Sequence, residues 1–235
     1  MDMLTRMLFM AAANRKEVTY IGTGAPATSD GTATSVGLPA GIQVNDILLL
    51  SISSSNTTVD TDGTVSTPAG WSIVANSPQS IQAGSAGCRL SVFWRRATGS
   101  DTAPSVSSVG HLAASISAFR GCPTTGNPWD TTAGDTVLSS STVTMPSVTT
   151  TKDKCMVVLV VANTLSGTSG ITSGYTNANL TGLAELADVQ TNLGGGGGVA
   201  IAAGVMLLAG ATGTTSATVT GGNRQGRLTI SLQPG

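Results

Sequence analysis

One histidine, twelve carboxylates, three cysteines and a run of five glycines are the groups with which this 235-residue chain could do chemistry. His111 lies between Gly110 and Leu112 at a strand entrance and reads as a polar turn residue. A metal site of the usual kind wants a second histidine, and none exists. Asp60-Thr61-Asp62-Gly63 opens like a calcium loop, but the twelfth position holds Trp71 where a glutamate is required. The motif reads as a turn in which an aspartate caps its own backbone. Gly194 to Gly198 lacks the GK[ST] of a phosphate loop and leads into Val199-Ala200-Ile201, a strand. Five glycines in a row read instead as a flexible hairpin or a close approach between chains. Ser107, Ser115 and Ser139 sit in no nucleophile elbow. A glycan hydrolase would need paired carboxylates, and these are scattered. The expectation is no catalytic residue, no metal and no cofactor.

Aromatic side chains offer a second kind of chemistry, stacking on sugar rings. Trp71, Trp94 and Tyr175 fall on predicted strands and read as core. Trp129, followed by Asp130, falls in a predicted linker and is the candidate glycan contact. Arg95 and Arg96 are adjacent on a strand and so point to opposite faces. One of them is expected inward or at an interface, paired with a carboxylate.

Cys88, Cys122 and Cys155 are odd in number and widely spaced, which fits neither a disulfide framework nor a zinc site. They read as small buried apolar residues of a chain made in a reducing cytoplasm. Net charge is -1 and charged residues make up 10% of the chain, so binding by phosphate neutralisation is not expected. No run of 18 apolar residues occurs, so no membrane span is expected. Apolar residues make up 40% but aromatics only 3%, so the core must be built from Val, Ile, Leu and Ala. The surface is then mostly Thr, Ser, Asn and Gly, which suits either a subunit held in an assembly or a soluble domain with an unusually neutral coat.

Residues 1–16 stand apart. Met3, Leu4, Met7 and Leu8 share one helical face, and the segment reads as a short amphipathic docking helix. Three turns are not stable alone, so it must dock, and a partner or sister copy is the expected receiver.

From Val18 onward the chain reads as strands and turns, with Leu183 to Val189 left open between a helical turn and a strand. Asn45-Asp46 leads into Ile47 to Ile52, and Lys152-Asp153-Lys154 leads into Cys155 to Val161. Ala69-Gly70-Trp71 is matched by Ser173-Gly174-Tyr175, Cys88–Ala97 by Val199–Leu208, and Leu112–Phe119 by Leu228–Leu232. At an offset of 114 residues, 7 of 25 aligned positions are identical, among them Ile116 with Ile230 and Gly121 with Gly235. About 2 are expected by chance in so biased a composition. The reading is all-β: one β-sandwich domain over 17–235. It is a jelly-roll-like antiparallel sandwich of about eight strands built from similar halves 17–121 and 149–235. Residues 122–148 form the crossover, irregular at least in part because of Pro123, Pro128 and Pro146.

Several blocks carry a family resemblance. They are Thr19-Tyr20-Ile21-Gly22-Thr23-Gly24, Pro39-Ala40-Gly41 with Asn45-Asp46-Ile47-Leu48, and Pro68-Ala69-Gly70-Trp71. Val92-Phe93-Trp94-Arg95-Arg96-Ala97 and Ala118-Phe119-Arg120-Gly121 complete the set. Together they resemble β-sandwich proteins encoded among the virion genes of tailed bacteriophages, most clearly over residues 18 to 121. The resemblance implies a non-enzymatic tail or fibre component located in the virion. It would contact other virion proteins and form a homo-oligomer, a trimer or ring. The alternatives are a capsid decoration protein and a carbohydrate-binding module for a host surface glycan. The family defines no functional residue to carry over.

Overall fold

Two continuous apolar runs organise the molecule. ILLLSISS at Ile47–Ser54 and CMVVLVVAN at Cys155–Asn163 are strands buried at every position. A strand that reads apolar without alternation must be covered on both faces, and both are. The computed structural model describes residues 17–54, 63–81, 87–108 and 110–235. The expected helix within 1–16, with Met3, Leu4, Met7 and Leu8, lies outside these residues, as do Asp60, Thr61 and Asp62. Among the described residues the chain is all-β apart from one 3-10 turn at Leu193–Gly195.

The strands of the first half's main sheet are β1 (Thr19–Thr23), β2 (Ala27–Ser29), β3 (Ile47–Ser54), β4 (Ser72–Ile73), β5 (Gln79–Ile81), β6 (Cys88–Arg96) and β7 (Leu112–Arg120). Those of the second are β8 (Trp129–Met145), β9 (Cys155–Asn163), β10 (Thr172–Thr176), β11 (Thr181–Thr191), β12 (Gly197–Met206) and β13 (Thr215–Leu232). The first sheet runs β1-β7-β3-β6-β4, with β2 also on β7 and β5 also on β6; the second runs β8-β13-β9-β12-β11, with β10 also on β13. All pairs in these sheets are antiparallel. Each half therefore makes one whole sheet. A jelly roll passes successive strands back and forth between two sheets, and this order does not.

The inner faces pack on each other. Ile47 and Leu49 of β3, Leu90 and Val92 of β6 and Phe119 of β7 share one core with Val158 and Val160 of β9, Ile201 of β12 and Leu228, Ile230 and Leu232 of β13. The first sheet offers small Ser51, Ser115 and Ser117 at the centre of its inner face, and all three are buried. Large side chains opposite small ones let the layers close. The outer face of each sheet has its own core. Leu50, Ile52, Phe93 and Ile116 lie under Val36, Val65, Trp71 and Val106. Val157, Leu159, Ala200 and Ala202 lie with Val143, Met145, Leu180 and Val219. Each fully buried Val, Leu or Ile contributes about 1.5–3 kcal/mol, and this supply replaces the missing aromatics. The alternation Leu112, Ala114, Ile116, Ala118 falls on one face of β7, as its sequence predicts.

Two expectations are corrected and one left open is settled. The segment 122–148 is not chiefly a crossover. Trp129–Met145 is a strand of the second sheet, paired along β13 from Trp129↔Leu232 to Met145↔Thr215. Pro128 and Pro146 bound this strand rather than break it. Leu183 to Val189 is strand, within β11. The offset of 114 is out of pleat register, because Ile116 faces the outer core and Ile230 the inner one. The true equivalence is set by pairing. Ile47 opposes Phe119 as Met156 opposes Leu232, so equivalent residues lie 109 apart in the central strands and 113 apart in the last ones.

Candidate functional site

A cleft of about 770 Å³ opens at the end of the sandwich where the central strands begin. Its walls come from the turn before β3, the start of β1 and the chain just past β7. Asn45 turns the backbone with φ 74, and Asp46 follows it inward. The Asp46 carboxylate is 1% exposed and accepts hydrogen bonds from Gln43 N at 2.7 Å, Arg120 Nε at 2.8 Å and Arg120 Nη2 at 2.7 Å. Arg120 also donates to the Gly41 carbonyl at 2.9 Å. The Asp46 bond raises the pKa of the guanidinium above its ordinary value. A buried charge must be paired and hydrogen-bonded, and this one is held by two-point fork geometry.

Gly121 closes the cleft floor with φ +99, where a Cβ would stand 2.6 Å from the Glu17 carbonyl oxygen. Gly235 N donates to Gly121 O at 2.8 Å. Glu17, from which the chain continues back to residues 1–16, and Gly235 therefore meet on the rim. Cys122 on the wall has its thiol pushed up to about 12, chiefly by burial. Val44, 60% exposed, presents an apolar tip beside it. Burial keeps the thiol protonated and Asp46 neutralises Arg120, so the cleft offers hydrogen-bonding groups and apolar surface.

The pair Asp46 and Arg120 was not singled out from sequence. Both lie in blocks quoted for their pattern, and a signal was available: each is a lone charge at one end of an otherwise uncharged, buried strand. Such a charge needs a partner.

The residues flagged from sequence do not converge on this cleft. His111 lies at the opposite end of β7, fully buried. A Cβ on Gly197 would collide with its Nε2, and one on Gly194 would stand 2.6 Å from its backbone N. The glycine run thus serves a close approach between the two halves of one chain. Of the flagged serines, Ser115 is buried in the inner face. Ser139 is exposed in β8, and Ser107 is exposed in the turn before His111.

Trp129 opens β8 and is half-buried, its ring edge-on to Trp94 at 5.4 Å between centroids. The contact joins the two sheets, so the ring is not the free linker residue expected. Trp71 is buried in the outer core, while Trp94 and Tyr175 are half-buried beside core residues. Arg95 pairs with Asp101 at 2.7 Å and lies over Trp71, 5.8 Å from the ring centroid. Arg96, on the other face, lies 6.0 Å over Trp94 and donates to Gly126 O at 3.1 Å. The expected carboxylate partner is thus found for Arg95.

Carboxylates elsewhere act as structural acceptors. Asp135 holds Arg227, directly opposite it across β8 and β13, at 2.7 and 2.9 Å. Asp188 accepts from Ile171 N and Thr172 N, each at 2.7 Å. Asp153 accepts from Ala209 N, and Asp130 from Thr151. None of the three cysteines is in a disulfide and all are buried, and burial pushes the Cys88 thiol up to about 12. Among the described residues no group of three or more His, Cys, Asp or Glu could hold a metal ion, and no helix is long and apolar enough to cross a membrane. No protein family, curated protein or solved structure matches the chain.

Proposed function

We propose that the chain is a non-enzymatic structural subunit of a tailed-phage virion, a tail or fibre-associated component joined to its neighbours through residues 1–16. One observation carries most weight. The carboxylates of Asp46, Asp101, Asp130, Asp135, Asp153 and Asp188 are each engaged in an ion pair, a turn or a strand junction. Acid groups spent this way suit a part whose work is mechanical. Glu17, the residue that follows this segment, lies on the rim of the cleft, which supports reading the cleft as part of the docking surface. A neutral coat of low charge suits repeated contact between copies, and a trimer or ring is the expected assembly.

Deleting residues 1–14 tests this reading. The shortened chain should fold with unchanged β content and fail to join particles. Normal incorporation of the truncated chain would overturn the anchoring role. Quantitative mass spectrometry of purified particles separates a tail part, present in a handful of copies, from a shell decoration protein present in dozens to hundreds.

A further inference from the structure

The end of the sandwich that holds the cleft also gathers apolar surface. Among the described residues seven large apolar side chains are exposed, and four of them, Tyr20, Val44, Leu207 and Leu208, lie at this end. Tyr20 sits in β1 opposite Phe119, and Val44 lines the cleft itself. Leu207 and Leu208 follow β12, whose last residue, Met206, pairs with Cys155. The Cys155 thiol lies within electrostatic reach of Cys122 on the cleft wall, which places this turn at the same end. Leu208 is 72% exposed. Apolar side chains concentrated on one end mark an interaction surface rather than chance exposure.

We propose that this end receives residues 1–14 of a second copy of the chain, and that each copy gives its own segment in return. The inference rests on reading those residues as the anchor, and it names what they dock on. Reach selects a second copy. Glu17 and Val18 still lie beside Gly121, as they do when the chain runs straight on from the pairing of Thr19 with Arg120. Arg15 and Lys16 add at most about 7 Å, and a helical run over residues 2–13 spans about 18 Å. Neither Arg15 nor Lys16 is a glycine or proline that would turn the run back over the cleft beside which it starts. A facing copy takes it without a reversal. Charge agrees. Arg6, Arg15 and Lys16 against Asp2 leave the segment with three cations to one carboxylate. In the cleft Asp46 neutralises Arg120, and Glu17 adds an acid on the rim. Met3, Leu4, Met7 and Leu8 supply the apolar face for Val44 and its neighbours, and methionine adapts to an irregular surface. Donor segment and acceptor surface share one end, so the exchange closes among facing copies instead of growing into a filament.

Cross-linking on the full chain tests the exchange. A tagged Met7→Cys copy is mixed with an untagged Val44→Cys copy and treated with a short bis-maleimide; the native cysteines are buried. The expected product is a hybrid of one tagged and one untagged chain, joined between positions 7 and 44. A chain carrying both substitutions should run on denaturing gels as linked oligomers. Sedimentation of the unmodified chain is the second measurement, independent of any variant, and should show a closed oligomer. Val44→Asp, at an exposed position outside the strands, should weaken that assembly by about 10-fold or more, because it buries a charge in the contact. Links confined to single chains, or an unmodified chain that sediments as a monomer, overturn the exchange. Exclusion of the truncated chain from particles would then still uphold the anchoring role, with another protein as its receiver.

Discussion

Asn45 and Lys154 occupy the same place in the two halves. Each sits just before its central strand with left-handed backbone, φ 74 and 59°, and each donates its backbone N–H to the end of the neighbouring strand, Asn45 to Ala97 O at 2.9 Å and Lys154 to Leu207 O at 3.2 Å. The duplication thus repeats a local device, a left-handed residue that aims a buried strand into the sheet, with two different side chains.

That difference has a measurable consequence. Asparagine tolerates the left-handed region, whereas lysine gains nothing there and bears its cost. Lys154→Gly should stabilise the protein by about 0.5–1 kcal/mol, and Lys154→Val should destabilise it by about 1–2 kcal/mol. Asn45→Gly should be nearly neutral. Urea midpoints of the three variants check the order, and a Lys154→Gly variant less stable than the parent contradicts the account.

The central strands were plain in the sequence because burial on both faces leaves an unbroken apolar run. The strands around them were legible only in part: the match of Ser173-Gly174-Tyr175 to Ala69-Gly70-Trp71 fails, because β4 pairs with β6 whereas β10 pairs with β13, and β11 takes the place beside β12. The pleat was not legible. Matching Ile116 to Ile230 maximises identities, yet one faces outward and the other inward, and identity counting is blind to faces. Nor was β8 legible. Trp129 to Met145 is mostly Thr, Ser and Gly flanked by prolines, and its strand character comes from pairing with β13. The cleft pair was hidden because Asp46 and Arg120 are 74 residues apart and only the β3–β7 pairing brings them together.

Glycines separate into close approaches and open positions. A Cβ on Gly226 would stand 2.7 Å from the Gln79 carbonyl oxygen and 3.1 Å from Leu90 Cβ, where the sheets meet. Gly226→Ala should cost about 1–3 kcal/mol by overpacking. A Cβ on Gly22 would meet nothing within 4 Å, so Gly22→Ala should be neutral or stabilise by up to about 1 kcal/mol. Chemical denaturation of both variants reads the contrast, and equal effects would contradict the packing described.

Trp94 and Trp129 meet edge-on between the sheets. Trp129→Ala should cost about 3 kcal/mol, the loss expected for a large aromatic removed from a packed site, reduced where the ring remains exposed. Trp129→Phe should recover most of it. If Trp129→Ala leaves the melting temperature unchanged, the ring is not structural, and a glycan array with this variant as control becomes the decisive measurement.

The thiols supply the alkaline limit. Burial raises Cys88 and Cys122 from 9.0 to about 12. The folded chain keeps these protons while the unfolded chain releases them above about pH 9. The stabilisation is therefore complete below about pH 9 and is lost as pH rises toward about 12, by up to about 1.4 kcal/mol per pH unit for each thiol. Urea midpoints should fall steeply across this window, and Cys88→Ala should flatten the fall. A thiol reagent at about pH 8 should leave the native protein unmodified over minutes and label three cysteines per chain after denaturation. Rapid labelling of the native chain would mean that the core around Cys88, or the cleft wall at Cys122, is open.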